Sequence, residues 1–98
     1  MTYPTEITKE ILQKNAHITD GHIQKDIADT QVEIATMQQQ AKGYRLIADA
    51  NPSSPDGKMA YFRQTAAEHG IVERRGFVTF LEALLKVRQE TAVPQEAE

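Results

Sequence analysis

An apolar repeat running through residues 21 to 50 restricts the fold of this chain more than any other part of the sequence. Its members recur alternately four and three residues apart, and all but one threonine are apolar: Ile23, Ile27, Thr30, Ile34, Met37, Ala41, Tyr44 and Ala48. That spacing gathers them along one side of an α-helix. Proline is absent from the segment, and Gly43 is the only glycine in its interior. We therefore predict one helix over residues 20 to 50, whose apolar seam needs a helical partner.

A bend is expected after this helix, because the residues that follow disfavour α-helical geometry. They read Asn51-Pro52-Ser53-Ser54-Pro55-Asp56-Gly57. Each proline disfavours the helical conformation in the residue before it, and Asn, Ser, Asp and Gly are all typical of turns. Residues 51 to 57 are thus predicted to reverse the direction of the chain.

A second apolar stripe begins after the bend and keeps one angular phase. Its members are Met59, Phe62, Ala66, Phe77, Phe80, Leu81, Leu84 and Val87. Gly70 and Glu73 occupy the positions between its two halves. A carboxylate at this seam would have to pair with Arg74 or Lys42, or else face a partner or water.

Gly70 leaves two interpretations of the second arm open. Glycine frequently ends a helix, which favours two shorter helices. The unbroken phase of the stripe favours one bent helix over residues 58 to 91. We prefer the continuous helix, because a break would usually disturb this phase; the two long arms then match in length.

The remaining segments complete a three-helix arrangement. A short helix over residues 5 to 16 is predicted to place its apolar residues against the open end of the hairpin; these are Ile7, Ile11 and Leu12. Residues 92 to 98 lack both period and bulk, which predicts a flexible acidic tail. The predicted fold is all-α and a single domain over residues 1 to 98: a long antiparallel helical hairpin with a short N-terminal helix packed at its open end.

Apolar residues are distributed unevenly along this hairpin. Near the bend, two helices alone must bury Tyr44, Met59, Tyr61 and Phe62. This group is either a thin hairpin core or a surface for self-association or docking. Val32 and Leu46 form a sparse second stripe on the opposite side of the first arm, which suggests another contact. These six residues are the candidate protein interface.

The chain offers little material for catalysis or cofactor binding. It contains no cysteine, which excludes disulfides, thiolate metal ligands and a cysteine nucleophile. His17 and His22 do not have the i, i+4 spacing of zinc-binding pairs on helices. The carboxylates accompany neither a nucleophile nor a glycine-rich phosphate loop. We predict a protein that is not an enzyme, without a catalytic, cofactor or metal site.

Charge supplies an alternative hypothesis. Eleven Lys and Arg against fourteen Asp and Glu give a net charge of -3, so long-range attraction to nucleic acid or anionic lipid is not expected. Arg63, Arg74 and Arg75 are the candidate contacts of the alternative function, a small nucleic-acid-associated regulator. Neither a signal peptide nor a membrane span is recognisable, which predicts a soluble protein that is cytoplasmic or virion-associated.

The bend itself resembles that of a known family. Asn51-Pro52-Ser53-Ser54-Pro55, followed by Tyr61 between two amphipathic helices, is similar to the bend of type III secretion needle subunits. Leu84-Leu85-Lys86 is similar to part of the inner-rod subunits of the same machines. The resemblance covers the bend and the overall length, and it implies a helical polymer with the hairpin as its repeating unit.

Two apolar seams, a second stripe and no catalytic constellation together favour a non-enzymatic interaction or structural protein. We expect it to self-associate or to dock through its hairpin into a larger bacterial or phage assembly. Its partners would then be proteins, including further copies of itself in a homo-oligomer.

Overall fold

The computed structural model describes the backbone of residues 3, 4 and 6 to 96, and the side chains of these residues up to 91. In this range the chain forms three α-helices and no strand: α1, Lys9–Lys14; α2, Asp20–Ala50; and α3, Pro55–Glu96. The two long helices pack against each other as a hairpin. The molecule measures 67 × 20 × 17 Å. The prediction of an all-α helical hairpin is confirmed.

Helix α2 forms as its apolar repeat predicts. Thr19 caps the first turn, since its Oγ1 accepts a hydrogen bond from the backbone N–H of His22 at 3.1 Å. Every residue of the predicted seam is buried or half-buried. Ile23, Thr30 and Ala48 are the most deeply buried of them, so the seam of α2 is confirmed.

The bend is shorter than the predicted residues 51 to 57, because α3 already begins at Pro55. Proline suits the first turn of a helix, where a backbone N–H has no helical partner. The Ser54 hydroxyl donates to the Asn51 carbonyl at 3.0 Å and accepts from the Gly57 N–H at 3.0 Å. A Cβ atom at Gly57 would overlap with the Asn51 carbonyl oxygen. This close approach requires glycine.

Helix α3 continues through Gly70 without a break. The Met37 side chain of α2 fills the space that a Cβ at Gly70 would occupy, so this glycine brings the two arms together. The backbone remains helical to Glu96, beyond the predicted end at residue 91. The flexibility expected for residues 92 to 98 stays a prediction, and residues 97 and 98 lie outside the described residues.

Near the bend, the side of α3 that faces α2 is not the one predicted, whereas at the open end the predicted residues Leu81 and Leu84 are buried. Buried and half-buried residues follow a heptad spacing along α3: Gly57, Ala60, Gln64, Ala67, Ile71, Arg74, Val78, Leu81, Leu85 and Arg88. Met59, Phe62 and Ala66, which the sequence placed on this seam, are exposed. Near the bend the predicted phase was therefore wrong by one residue, or about 100° around the helix. Small seam residues such as Ala60 and Ala67 allow the arms to approach closely.

Because a different side of α3 faces α2, two charged residues in the middle of the hairpin are placed differently from the prediction. Arg74 lies at the seam, and its Nε donates to Glu33 Oε2 at 2.8 Å across the two helices. Glu73 pairs instead with His69 of its own helix, with 3.0 Å between Oε1 and Nε2. Glu73 lies off the seam and does not pair with Arg74 or Lys42; its side chain is 46% exposed and faces water, the other outcome that the sequence left open.

The open end of the hairpin holds most of the core. Ile23 packs there with Leu81 and Leu84, and further apolar residues surround them: Ile7, Ile11, Leu12, Ile18, Ile27, Phe77, Phe80 and Leu85. The Tyr3 ring centroid lies 5.4 Å from that of Phe77 and 5.8 Å from that of Phe80. The N-terminal segment, residues 3 to 18 as far as they are described, therefore covers the open end as predicted.

Arg88 ties this N-terminal segment to α3. Its Nη1 donates to the Ile18 carbonyl at 2.7 Å and to Asp20 Oδ1 at 2.8 Å. Its Nη2 donates to the carbonyl of Asn15, the C-terminal cap of α1. Helix α1 begins after a Thr8 cap and is shorter than the predicted residues 5 to 16. The Arg88 guanidinium thus holds both ends of the connection between α1 and α2 by hydrogen bonds.

Candidate interaction surface

The half of the hairpin near the bend exposes large apolar side chains. The exposed fraction is 72% for Leu46 and Phe62, 65% for Tyr61, 53% for Met59 and 46% for Ile47. Tyr44, by contrast, is half-buried. The hairpin-core interpretation is therefore wrong for Met59, Tyr61 and Phe62.

Two of these side chains lie on the side of α3 that the N-terminal segment covers at the open end. Met59 comes 18 residues before Phe77, and Phe62 comes 18 residues before Phe80. Eighteen residues make about five full turns of an α-helix, so each pair points in the same direction. Tyr3 stacks on Phe80 and packs against Phe77 with the two rings tilted by 45°. Near the bend the equivalent positions are exposed.

Helix α2 supplies the opposite wall of the same groove. Glu33 borders a cleft together with Tyr3 and Phe77, which fixes the side of α2 that faces this groove. Ile47 follows Glu33 by two heptads and therefore lies on that side, close to the bend. We call the exposed stretch the bend-end groove and define it by its residues: Tyr44, Ile47, Met59 and Ala66, which line it, and Phe62, which points away from α2 and lies at its outer edge.

The other candidate interface residues lie elsewhere on the hairpin. Tyr61 is on the opposite side, where it borders a shallow cleft with Asp49 and Pro52. Val32 and Leu46 point away from α3 on the outer face of α2, and Val32 is 67% exposed. The six residues proposed from the sequence thus belong to three separate surfaces, of which the bend-end groove is the most concentrated.

Two oppositely charged residues of α3 lie within the groove, on the side of Met59 that is nearer to α2. Asp56 and Arg63 are both exposed. They are seven residues apart, which places them on nearly the same face, about 10 Å from each other along the helix. Neither forms an ion pair with another residue in the part of the chain that the structure describes.

The three arginines proposed for nucleic-acid contact do not share one role. Arg74 is held by Glu33 and by the Gly70 carbonyl. Arg63 and Arg75 are exposed but are separated by about 120° around α3. Nucleic-acid binding stays a hypothesis from the sequence.

Two of the three histidines pair with a carboxylate of their own helix. His22 Nε2 lies 3.4 Å from Asp26 Oδ2, and His69 pairs with Glu73. Among the described residues, no group of three His, Asp or Glu side chains is arranged to hold a metal ion. In the same part of the chain, none of the helices combines the length and hydropathy required to cross a bilayer.

Sequence reasoning missed two exposed apolar residues, Ile47 and Val72, the latter being 65% exposed. Ile47 is three residues after Tyr44 and three before Ala50, so its spacing could have marked it as a flank of the α2 seam. Its exposure could not be read from the sequence, because it depends on what covers that flank.

Comparisons with protein-family models, with curated proteins and with solved structures found no match for this chain. The similarity of the bend to type III secretion needle subunits accordingly remains a resemblance of the sequence. The fold and the groove are therefore the basis of the functional argument.

Proposed function

We propose that this chain is a non-enzymatic interaction or structural subunit that docks on another protein surface through the bend-end half of its hairpin. The observation that supports the proposal is the exposure of three large apolar side chains, Ile47, Met59 and Phe62, in the bend-end half of the hairpin. Isolated exposed apolar residues are normal on protein surfaces, whereas a contiguous group frequently marks an interaction site. Met and Phe are also among the residue types enriched in interfaces.

The architecture of the hairpin supports the same conclusion. Its open end is a three-layered core in which the N-terminal segment covers α2 and α3. Its bend end has only two helices, so one side of each seam faces solvent. A third helical element from another chain would give the bend end the same packing as the open end.

The assembly that contains this subunit is hypothesised to be bacterial or phage in origin, either a secretion component or a virion. The resemblance of the bend to needle subunits supports the secretion alternative. The protein would then act by position and contact, as a spacer or a docking element, and not by chemistry.

Site-specific photo-crosslinking in the native cell tests this proposal. A photoreactive phenylalanine analogue replaces Phe62 in the groove, and in a second variant it replaces Lys25, an exposed residue on α2 far from the bend. We expect one defined protein, either another copy of this chain or a different one, to be crosslinked at position 62 but not at position 25. Equal labelling at both positions, or none at either, would contradict the proposal.

A further inference from the structure

We propose that the partner of the bend-end groove is a second copy of this chain, which packs groove against groove in an antiparallel, two-fold symmetric dimer. This inference rests on the proposed function and names its partner. The two-fold axis would pass close to Met59, so that the two bends overlap and the two open ends point away from each other. Such an interface uses the same residues from both copies.

The first argument is the continuity of the groove with a contact already made inside the chain. At the open end, Phe77 and Phe80 pack under Tyr3. Five turns earlier, Met59 and Phe62 present the same side of α3 without cover. A helix of apolar, aromatic character fits this side, and the groove of a second copy supplies one through its own Phe62.

The second argument is charge. A two-fold axis perpendicular to α3 and near residue 59 brings Asp56 of one copy beside Arg63 of the other, because the axis lies about midway between these two positions along the helix. The symmetry generates this ion pair twice. Within one copy the two side chains are about two turns apart, too far to pair with each other. The groove is therefore self-complementary in an antiparallel arrangement.

The third argument is that two hairpins cannot pack in parallel along their whole length. The N-terminal segment already occupies this side of the hairpin at the open end, where Tyr3, Ile7 and Ile11 pack. Two parallel hairpins would bring these segments into collision. In the antiparallel arrangement they lie at the far ends of the dimer.

The size of the groove sets the expected strength of association. An overlap of about 25 Å along a hairpin 20 Å wide covers roughly 500 Å² per copy, or about 1,000 Å² in total. That value lies below the usual range for tight complexes, which is about 1,200 to 2,000 Å². We therefore expect a reversible dimer that dissociates on dilution.

Charge-reversal variants test the partner and its orientation together. Asp56→Lys alone places two cations in each symmetric contact, and Arg63→Glu alone places two carboxylates there. When the two variants are mixed, each contact again joins opposite charges. By light scattering during size-exclusion chromatography of samples loaded at high concentration, we expect the mass of the native chain and of the mixture to rise toward twice 11.0 kDa with loading, and each variant alone to remain at 11.0 kDa.

Two further variants keep the test independent of folding defects. Phe62→Asp should abolish the dimer with helicity retained in circular dichroism, whereas Val72→Asp, at a similarly exposed position about 20 Å along α3 from Met59 and thus outside the overlap, should leave it intact. Because the chain has no cysteine, a single Met59→Cys should form a disulfide-linked dimer under mild oxidation. The Val72→Cys control should not.

A native chain that stays monomeric at every concentration would overturn the second-copy proposal, as would a dimer that survives Phe62→Asp. Neither result decides the proposed function, because a different protein crosslinked at position 62 would still support docking at this groove. If both charge variants still form a dimer and Met59→Cys does not become disulfide-linked, the chain associates through another surface. That result also contradicts the proposal.

Discussion

The short helix α1 depends on the hydrogen bonds of one side chain, Arg88. A helix leaves its last carbonyls without helical partners, and a helix of six residues such as α1 consists almost entirely of end groups. Arg88 reaches across from α3 and donates to the carbonyls of Asn15 and Ile18. Its side chain is 16% exposed, so water cannot readily replace it. Arg88 stabilises α1 and its connection to α2 together.

Arg88→Met should therefore lower the free energy of unfolding by roughly 2–3 kcal/mol, because partly buried carbonyls lose charge-assisted hydrogen bonds. Urea denaturation followed by circular dichroism measures the change. The matched control is Arg75→Met, an exposed arginine of the same helix, which should change stability by less than about 0.5 kcal/mol. Equal effects of the two substitutions would show that the bridge contributes nothing.

The two long helices differ in how far their packing could be predicted. In α2 one apolar stripe is much fuller than the sparse second one, so its seam from Ile23 to Ala48 followed directly from the spacing. In α3 two stripes lie about 100° apart, and the sequence shows the larger side chains of Met59, Phe62 and Phe77 more clearly than the small ones of Ala60 and Ala67. Periodicity finds stripes, but it does not tell which of them meets the neighbouring helix.

The candidate surface was predicted in part for the same reason. The scarcity of apolar residues near the bend did indicate that Met59 and Phe62 had an unusual environment. Their exposure, however, depends on which side of α3 faces α2. That orientation goes together with the Glu33–Arg74 ion pair and with the contact of Met37 with Gly70. These contacts join residues far apart in the sequence, beyond the reach of local patterns.

The bend offers a test of how the two helices are joined. Gly57→Ala should destabilise the protein by about 2 kcal/mol, because the new Cβ overlaps with the Asn51 carbonyl and the backbone must move. Gly43→Ala is the matched control, since nothing lies within 4 Å of the position that its new methyl group would take on α2. It should stabilise by about 0.5–1 kcal/mol through helix propensity. Thermal unfolding of dilute samples, where association is negligible, measures both. A stabilising effect of both substitutions would show that the bend accommodates a side chain.

At the scale of the whole molecule, the two ends of the long hairpin differ in how far other parts of the chain cover them. The open end is closed by its own N-terminal segment, and the bend end is open on one side. If the proposed docking surface is correct, such a molecule would associate at one end only, and a two-fold symmetric contact would give a closed dimer. A filament, as the needle-subunit resemblance implies, would require a second and different surface, for which Val32 and Leu46 on the outer face of α2 are the exposed candidates.

The length of the dimer distinguishes these arrangements in solution. With a two-fold axis near Met59, most of each 67 Å hairpin lies outside the overlap, and at a rise of about 1.5 Å per residue the dimer should be roughly 100 Å long. Small-angle X-ray scattering measures this maximum dimension over a concentration series. The Phe62→Asp variant, as the monomeric control, should keep the dimension of one hairpin at every concentration. A doubled mass with a maximum dimension near that of one hairpin would instead require parallel packing, which the N-terminal segments oppose. A maximum dimension that keeps growing with concentration would require a filament built through a second surface.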